Sequence, residues 1–289
     1  MSIDNDFGIS THCLAGIDPA GHLPLFERFG FTSVELNLGY WPWLADGAAL
    51  AQLKKMLDGC GLSVWAYHMP YAATVPEAGL IDPAHPDAAV REGTVAAVAW
   101  CLERVADLGG RRLIIHPNAS HLQADRRSEA MGLCRRTLRA CVEQLEALCR
   151  RRHDARGIVL AVEPMPPWGL LNRPDEVEAM ADLFDGRRAG LCLDVNHINL
   201  AGQDPIEYVR RIGRFVCTTH LSDNDGLDER HWAPGRGVLP WEQLLAELER
   251  SGYKGPLMFE TGQFGADAKD TVAQLAGLRE KLRTGTLER

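Results

Sequence analysis

Carboxylates and imidazoles close several apolar runs of this chain: Glu163 in "AVEP", Asp194 and His197 in "LDVNH", His220 in "THLSD" and Glu260 in "FET". Glu35, His68, His116 and Asp223 end or follow similar runs. Any one of them could be a loop residue, a helix cap or a histidine satisfied by one hydrogen bond. Repeated at seven run ends, they are hard to treat as independent. If the fold gathers them, several carboxylates share one buried place, where they repel and lose hydration unless a cation organises them. Carboxylate oxygens and imidazole nitrogens suit a divalent ion, Mn²⁺ first, with Zn²⁺, Co²⁺ or Mg²⁺ as alternatives. No thiolate marks a soft site. Beside such an ion, two glutamates can take a proton from the carbon next to a carbonyl and return it as the enediolate collapses.

The gathering must come from the fold. Short apolar, β-branched runs recur at 7–11, 31–37, 62–70, 111–117, 158–164, 190–197, 214–223 and 255–261. Between them apolar residues fall at three- and four-residue spacing, as in 87–108, 127–150 and 240–250, which predicts helices. Pro174 with Asp175 and Glu176, Asp204 before Pro205, and Pro240 before "WEQLLAELER" read as helix starts. Gly30, Gly61, Gly157, Gly190 and Gly255 precede strands and suit helix-to-strand turns. Strand–helix alternation repeated eight times predicts the α/β class: a (β/α)₈ TIM barrel, one domain over 1–289. In such a barrel the C-terminal strand ends converge on one mouth. An open doubly wound sheet is the alternative, but it binds at one switch point and needs no polar group at nearly every strand end.

The hydrophobic share of 46% and charged share of 24% are those of an ordinary globular protein. No run of 18 apolar residues predicts a membrane span. "MSIDNDFGIS" has neither the basic nor the apolar region of a secretory signal. The eight cysteines are scattered without a C-x-x-C pair, which predicts neither a zinc ribbon nor a disulfide framework and points to a reducing cytoplasm. Cys134 and Cys141, seven apart in a helical stretch, read as small core residues.

Taken together, "AVEP", "LDVNH", "THLSD", the loop "ERHWAPGRGVLPW" and "FET" resemble the sugar phosphate isomerase/epimerase family, the xylose-isomerase-like TIM barrels. The resemblance runs from the first strand to the eighth. Its most specific parts are D-x-x-H followed by H-L-S-D and G-x-G-x-x-x-W. It implies one metal held by Glu163, Asp194, His220 and Glu260, with both glutamates doubling as the acid/base pair and His197 contacting substrate oxygens. His68, Trp168 and Arg236 are the other candidate substrate contacts. The arginine that some ketose 3-epimerases carry six residues after the strand 7 histidine is replaced here by Gly226. The nuclease branch of the family, the endonuclease IV group, holds three zinc ions. The resemblance assigns its extra ligands to His68, His116 and His197, and to Glu229 and His231 where that branch has Asp-x-His.

Two chemistries therefore compete. Tyr40, Trp41, Trp43, Tyr71, Trp168 and Trp232 fall in loops after strands, and aromatic faces suit the C–H faces of a sugar. A nuclease needs cations around its mouth. The runs at 111–112 and 150–156 precede strands, on the opposite face, and 135–136 falls on an outer helix wall. The mouth loops offer mainly Arg173, Arg230 and Arg236, and the net charge is −8. The expected protein is a cytoplasmic, divalent-metal-dependent sugar isomerase/epimerase of carbohydrate metabolism. It would take a small carbohydrate, with no nucleic-acid or membrane partner, and a homo-oligomer is left open. A keto-sugar lyase or hydratase on the same site and an endonuclease IV-like multi-zinc phosphoester hydrolase are the alternatives. A non-catalytic sugar-binding barrel gains little from paired carboxylates.

Overall fold

All eight predicted strands form in the computed structural model of the chain, which describes residues 5–71 and 74–287. They are β1 (Phe7–Ser10), β2 (Ser33–Leu36), β3 (Ser63–His68), β4 (Arg112–Ile115), β5 (Val159–Val162), β6 (Ala189–Asp194), β7 (Val216–His220) and β8 (Leu257–Phe259). Neighbours are parallel and follow chain order from β1 to β7, and β8 returns to pair with β1. Between β7 and β8 the ladder is short. Leu221 N–H donates to Met258 O at 2.8 Å and Glu260 N–H to Leu221 O at 3.2 Å. The Thr219 hydroxyl accepts the Met258 N–H at 3.1 Å. The result is a nearly closed (β/α)₈ barrel in a single domain, which excludes the open doubly wound sheet.

Ten helices wrap it among the described residues: α1 (Pro19–Arg28), α2 (Trp41–Ala45), α3 (Gly47–Gly59), α4 (Ala88–Asp107), α5 (Arg127–Arg151), α6 (Pro174–Glu178), α7 (Val195–Leu200), α8 (Pro205–Ile212), α9 (Trp241–Arg250) and α10 (Ala268–Thr284). The start signals act as expected: Asp204 accepts from Ile206 N–H at 2.8 Å, ahead of Pro205 at the first helical position. In α5, Cys134, Leu138, Cys141, Leu145 and Leu148 form one buried stripe, so both cysteines are core residues as predicted. No helix among the described residues is long and apolar enough to cross a membrane.

The turn glycines divide. Gly30 and Gly61 adopt φ of 76° and 62°, the left-handed geometry that ends a helix cheaply only with glycine. Gly190 instead lies inside β6, where a Cβ would sit 2.8 Å from Phe215 O, so close packing of β7 is its reason. Gly157 and Gly255 do not take the left-handed geometry.

The basic runs are occupied far from the mouth. Arg112 lies 4.5 Å from the Trp65 ring centroid and donates to Cys217 O at 2.8 Å, plugging the barrel floor. Arg152 bridges Glu103, Asp107 and Asp154, and Arg135 and Arg139 grip Asp182 on the outer wall.

Candidate metal centre

At the C-terminal ends of the strands, four side chains from four consecutive strands converge. Asp194 and His220 are the last residues of β6 and β7; Glu163 and Glu260 each follow the last residue of β5 and β8. One ligand atom from each lies within 4.8 Å of the others, and all four residues are buried. His220 Nδ1 lies 3.0 Å from Glu260 Oε2, 3.4 Å from Glu163 Oε1 and 3.9 Å from Asp194 Oδ2. Two of these atoms, Asp194 Oδ2 and His220 Nδ1, are fully buried and make no hydrogen bond. Buried polar atoms are almost always paired, and an orphan costs about 1–3 kcal/mol.

The local sequence explains the aim of each atom. Asp194 caps α7: its Oδ1 accepts from His197 N–H at 2.9 Å, so the D-x-x-H spacing is that of an N-cap and the third helical residue. With Oδ1 engaged, Oδ2 is left facing the convergence point. His220 uses Nε2 on Glu35 Oε2 at 2.9 Å, leaving Nδ1 for the same point.

Imidazoles surround the cluster. His68 Nε2 lies 2.9 Å from Glu163 Oε2 and its Nδ1 2.9 Å from Met69 O, so the ring satisfies both only as the imidazolium. Burial opposes that charge, but Glu163 outweighs it and the pKa is raised. Burial also opposes the charge on His197, yet Asp194 and Glu229 lift it to about 10. Its Nδ1 lies 2.9 Å from Pro164 O and its Nε2 3.3 Å from Glu229 Oε1. His231 Nε2 lies 3.0 Å from the same oxygen. Among the acids, burial pushes Asp194 up to about 6. Burial acts the same way on Glu163, but His220 and His116 hold it well below its ordinary value.

The model of the xylose isomerase-like TIM barrel family matches residues 23–281. The chain belongs to this family. An uncharacterised protein of Methanocaldococcus jannaschii is 27% identical over 208 residues, 70% of this chain and 67% of that one. A fructoselysine 3-epimerase of Escherichia coli O157:H7 is 27% identical over 116 residues, covering 39% of this chain and 42% of its own length. Two solved structures share the fold with a TM-score of 0.77, each covering 98% of this chain and 100% of the other. One is a D-tagatose 3-epimerase-like protein at 19% identity, the other a D-psicose 3-epimerase of Clostridium cellulolyticum H10 at 16%. Sugar isomerases and epimerases are thus what this barrel is similar to.

Within the family barrel, a cavity of about 80 Å³ opens over the cluster, lined by Glu163, Glu260, His68, His116, His197, Glu229 and His231 among others. His68, His116 and Glu163 bring ligand atoms within 4.8 Å, and so do His197, Glu229 and His231. Two predicted substrate contacts are elsewhere. Trp168 stacks on His121 with ring centroids 4.9 Å apart, and Arg236 is exposed; neither lines the cavity. Of the mouth aromatics only Tyr71 lines it. Trp41 packs on Trp100 at 4.5 Å and Tyr40 is wholly buried, so they serve the rim. Asp223 is no ligand: it accepts from Gly235 N–H, Leu239 N–H and Trp241 Nε1–H at 2.9, 3.2 and 2.8 Å. It thereby folds the loop that carries Glu229 and His231. The G-x-G of that loop follows, because a Cβ on Gly237 would strike Asn224 O and the Asp223 carboxylate. Sequence reasoning missed His12, exposed at the mouth after β1 with its ring 5.1 Å from that of His231. The signal was available, since "THC" follows strand 1 as the other polar endings follow theirs.

Proposed function

We propose that this chain is a cytoplasmic, divalent-metal-dependent sugar isomerase or epimerase, moving a proton next to the carbonyl of a small carbohydrate. The observation that carries the reading is the pair of buried, unpartnered atoms, Asp194 Oδ2 and His220 Nδ1, aimed at the oxygens of Glu163 and Glu260. Glu163, Asp194 and Glu260 gather three carboxylates around His220, and a divalent cation held there through a deprotonated Nδ1 would turn their mutual repulsion into bonds. The four donors, three carboxylates and an imidazole, fit Mn²⁺, Zn²⁺, Co²⁺ or Mg²⁺, with the buried Cys192 beside Glu163 and His220.

Glu163, Asp194, His220 and Glu260 would hold the ion, which when bound would polarise a substrate carbonyl and stabilise the negative charge developing on its oxygen. The glutamates do the proton transfer. They come from β5 and β8, three strands apart around the barrel, and so approach a bound sugar from different sides. Glu163 Oε2 lies 2.9 Å from His68 and 3.4 Å from His116, so Oε1, 3.4 Å from His220 and 3.3 Å from His197, is the oxygen that would face both the ion and the substrate proton. Glu260 opens onto the cavity directly. His197, anchored through Nδ1, turns Nε2 toward Glu229 and the cavity, where it can donate to a sugar oxygen. Exhaustive chelation is expected to abolish deuterium exchange from D₂O into a ketose found by screening, and Mn²⁺ to restore it. Full exchange by protein that is metal-free by mass spectrometry would overturn the reading. A lyase or hydratase would share this machinery up to the proton abstraction.

A multi-zinc phosphoester hydrolase keeps a claim through the two further sets, His68–His116–Glu163 and His197–Glu229–His231. The cations speak against a nucleic-acid duplex. Arg230 is tied to Asp225 and Asp228, and Arg135, Arg151 and Arg152 of the basic runs pair with carboxylates away from the mouth. A duplex footprint needs several free cations around the mouth. We therefore expect one ion per chain and no nicking of abasic-site DNA at physiological salt. Three zinc ions with efficient nicking would reverse the preference.

A further inference from the structure

We propose that Glu35 is the positioning residue of the centre, holding His220 with a proton on Nε2 and its Nδ1 lone pair turned toward Glu163, Asp194 and Glu260. The inference rests on the metal-centre reading above and assigns a role to a residue outside its ligand set. Glu35 is wholly buried on β2, on a strand that neither supplies nor adjoins a ligand strand. Its Oε2 lies 2.9 Å from His220 Nε2, and its Oε1 accepts the Ser10 hydroxyl at 3.0 Å. Ser10 is its register partner on β1, and the same hydroxyl accepts from His12 N–H at 3.2 Å. The pairing of β2 with β3 shifts register between Val34 and Glu35. Such irregularities re-aim a side chain near sites, at some cost in the ladder.

A carboxylate buried in a barrel core is expensive unless its oxygens are used. Here one oxygen takes a serine hydroxyl and the other a ring nitrogen, so the expense is met by a single constraint on His220. An imidazole has two neutral tautomers, and only the one with Nε2–H leaves Nδ1 free as a donor to a cation. A carboxylate behind a ligating histidine fixes that tautomer and raises its basicity, and losing such a partner typically costs about 10–100-fold in metal affinity. Without Glu35, the Nδ1–H form would point a proton at the place where an ion must sit.

The test uses the full chain with Glu35→Gln, which keeps size and one acceptor oxygen, and Glu35→Leu, which removes both. In Zn²⁺-loaded wild type, ring ¹H–¹⁵N NMR should show His220 protonated on Nε2 with a downfield, slowly exchanging proton. In Glu35→Gln that resonance should move upfield, and Zn²⁺ and Mn²⁺ should bind about 10–100-fold more weakly while the melting transition remains cooperative. A wild-type His220 protonated on Nδ1, or unchanged affinity in Glu35→Gln, overturns the proposal even if Glu35→Leu fails to fold. Should wild type bind neither ion, it is the metal-centre reading that fails. The Nε2–H resonance of the metal-free protein then decides the role of Glu35: its upfield shift in Glu35→Gln supports the role, and its absence from wild type overturns it.

Discussion

Glu260→Gln is expected to lower turnover by about 10²- to 10⁴-fold, the usual cost of losing a general acid or base, with much less loss of bound metal. The amide keeps the length of the side chain and one oxygen for the ion, but it cannot take a proton. Glu163→Gln should cost as much in rate and more in structure. Its Oε2 faces His68 and His116, and an amide NH₂ in that position would meet two ring nitrogens, one of them a donor. If each glutamate serves one face of the sugar, a single Gln variant can still exchange the substrate proton with D₂O without completing an epimerisation. Steady-state rates, metal content and deuterium incorporation on the same preparations separate these outcomes. Normal turnover by both variants with metal retained would end the acid/base assignment.

The strands were legible because each is a short apolar run ended by a polar residue, and the barrel needs both features at once. In Asp194 and His197, the spacing that suggested a site also has a local cause, since an aspartate at the N-cap naturally meets the residue three positions on. Glu35 was visible as one more strand end, but its partner is 185 residues away, and a hydrogen bond across the barrel leaves no trace in local spacing. Trp168 and Arg236 lie away from the cavity for the opposite reason. Residue type and loop membership suggested contacts, while orientation is set by tertiary partners such as His121. Gly190 failed similarly: a glycine before a strand core reads as a turn, and only Phe215 O ahead of β7 and the Cys217 side chain within it show that close approach is what excludes a side chain. The mouth read as aromatic from composition; the cavity is instead dominated by histidines, because the tryptophans fill the rim between helices.

Asp194 offers the second large effect, because its two oxygens have separable tasks. Oδ1 caps α7, and Oδ2 makes no hydrogen bond, facing the convergence point with the His197 ring 3.5 Å away. Asp194→Asn keeps an oxygen for the cap and turns an NH₂ toward Glu163, Glu260 and His220. Metal affinity should fall beyond the roughly 100-fold that the loss of an outer partner reaches, since here a ligand itself is lost. The metal-free fold should not suffer. Burial raises the Asp194 pKa from 3.8 to about 6, so the folded state holds that proton more tightly than the unfolded chain. The associated stability is therefore fully present below about pH 4 and is lost as pH rises toward 6 and beyond. The neutral amide carries no such cost, so metal-free Asp194→Asn should match or exceed wild type in melting temperature at pH 7 and lack that acid-side gain. Asp194→Ala distinguishes the two tasks: it loses metal as Asn does, and also loses the cap, at about 0.5–2 kcal/mol. Titration calorimetry with Mn²⁺ and thermal melts from pH 4 to 8 measure both. Wild-type metal affinity in the Asn variant would remove Asp194 from the ligand set, leaving the cap as its whole function.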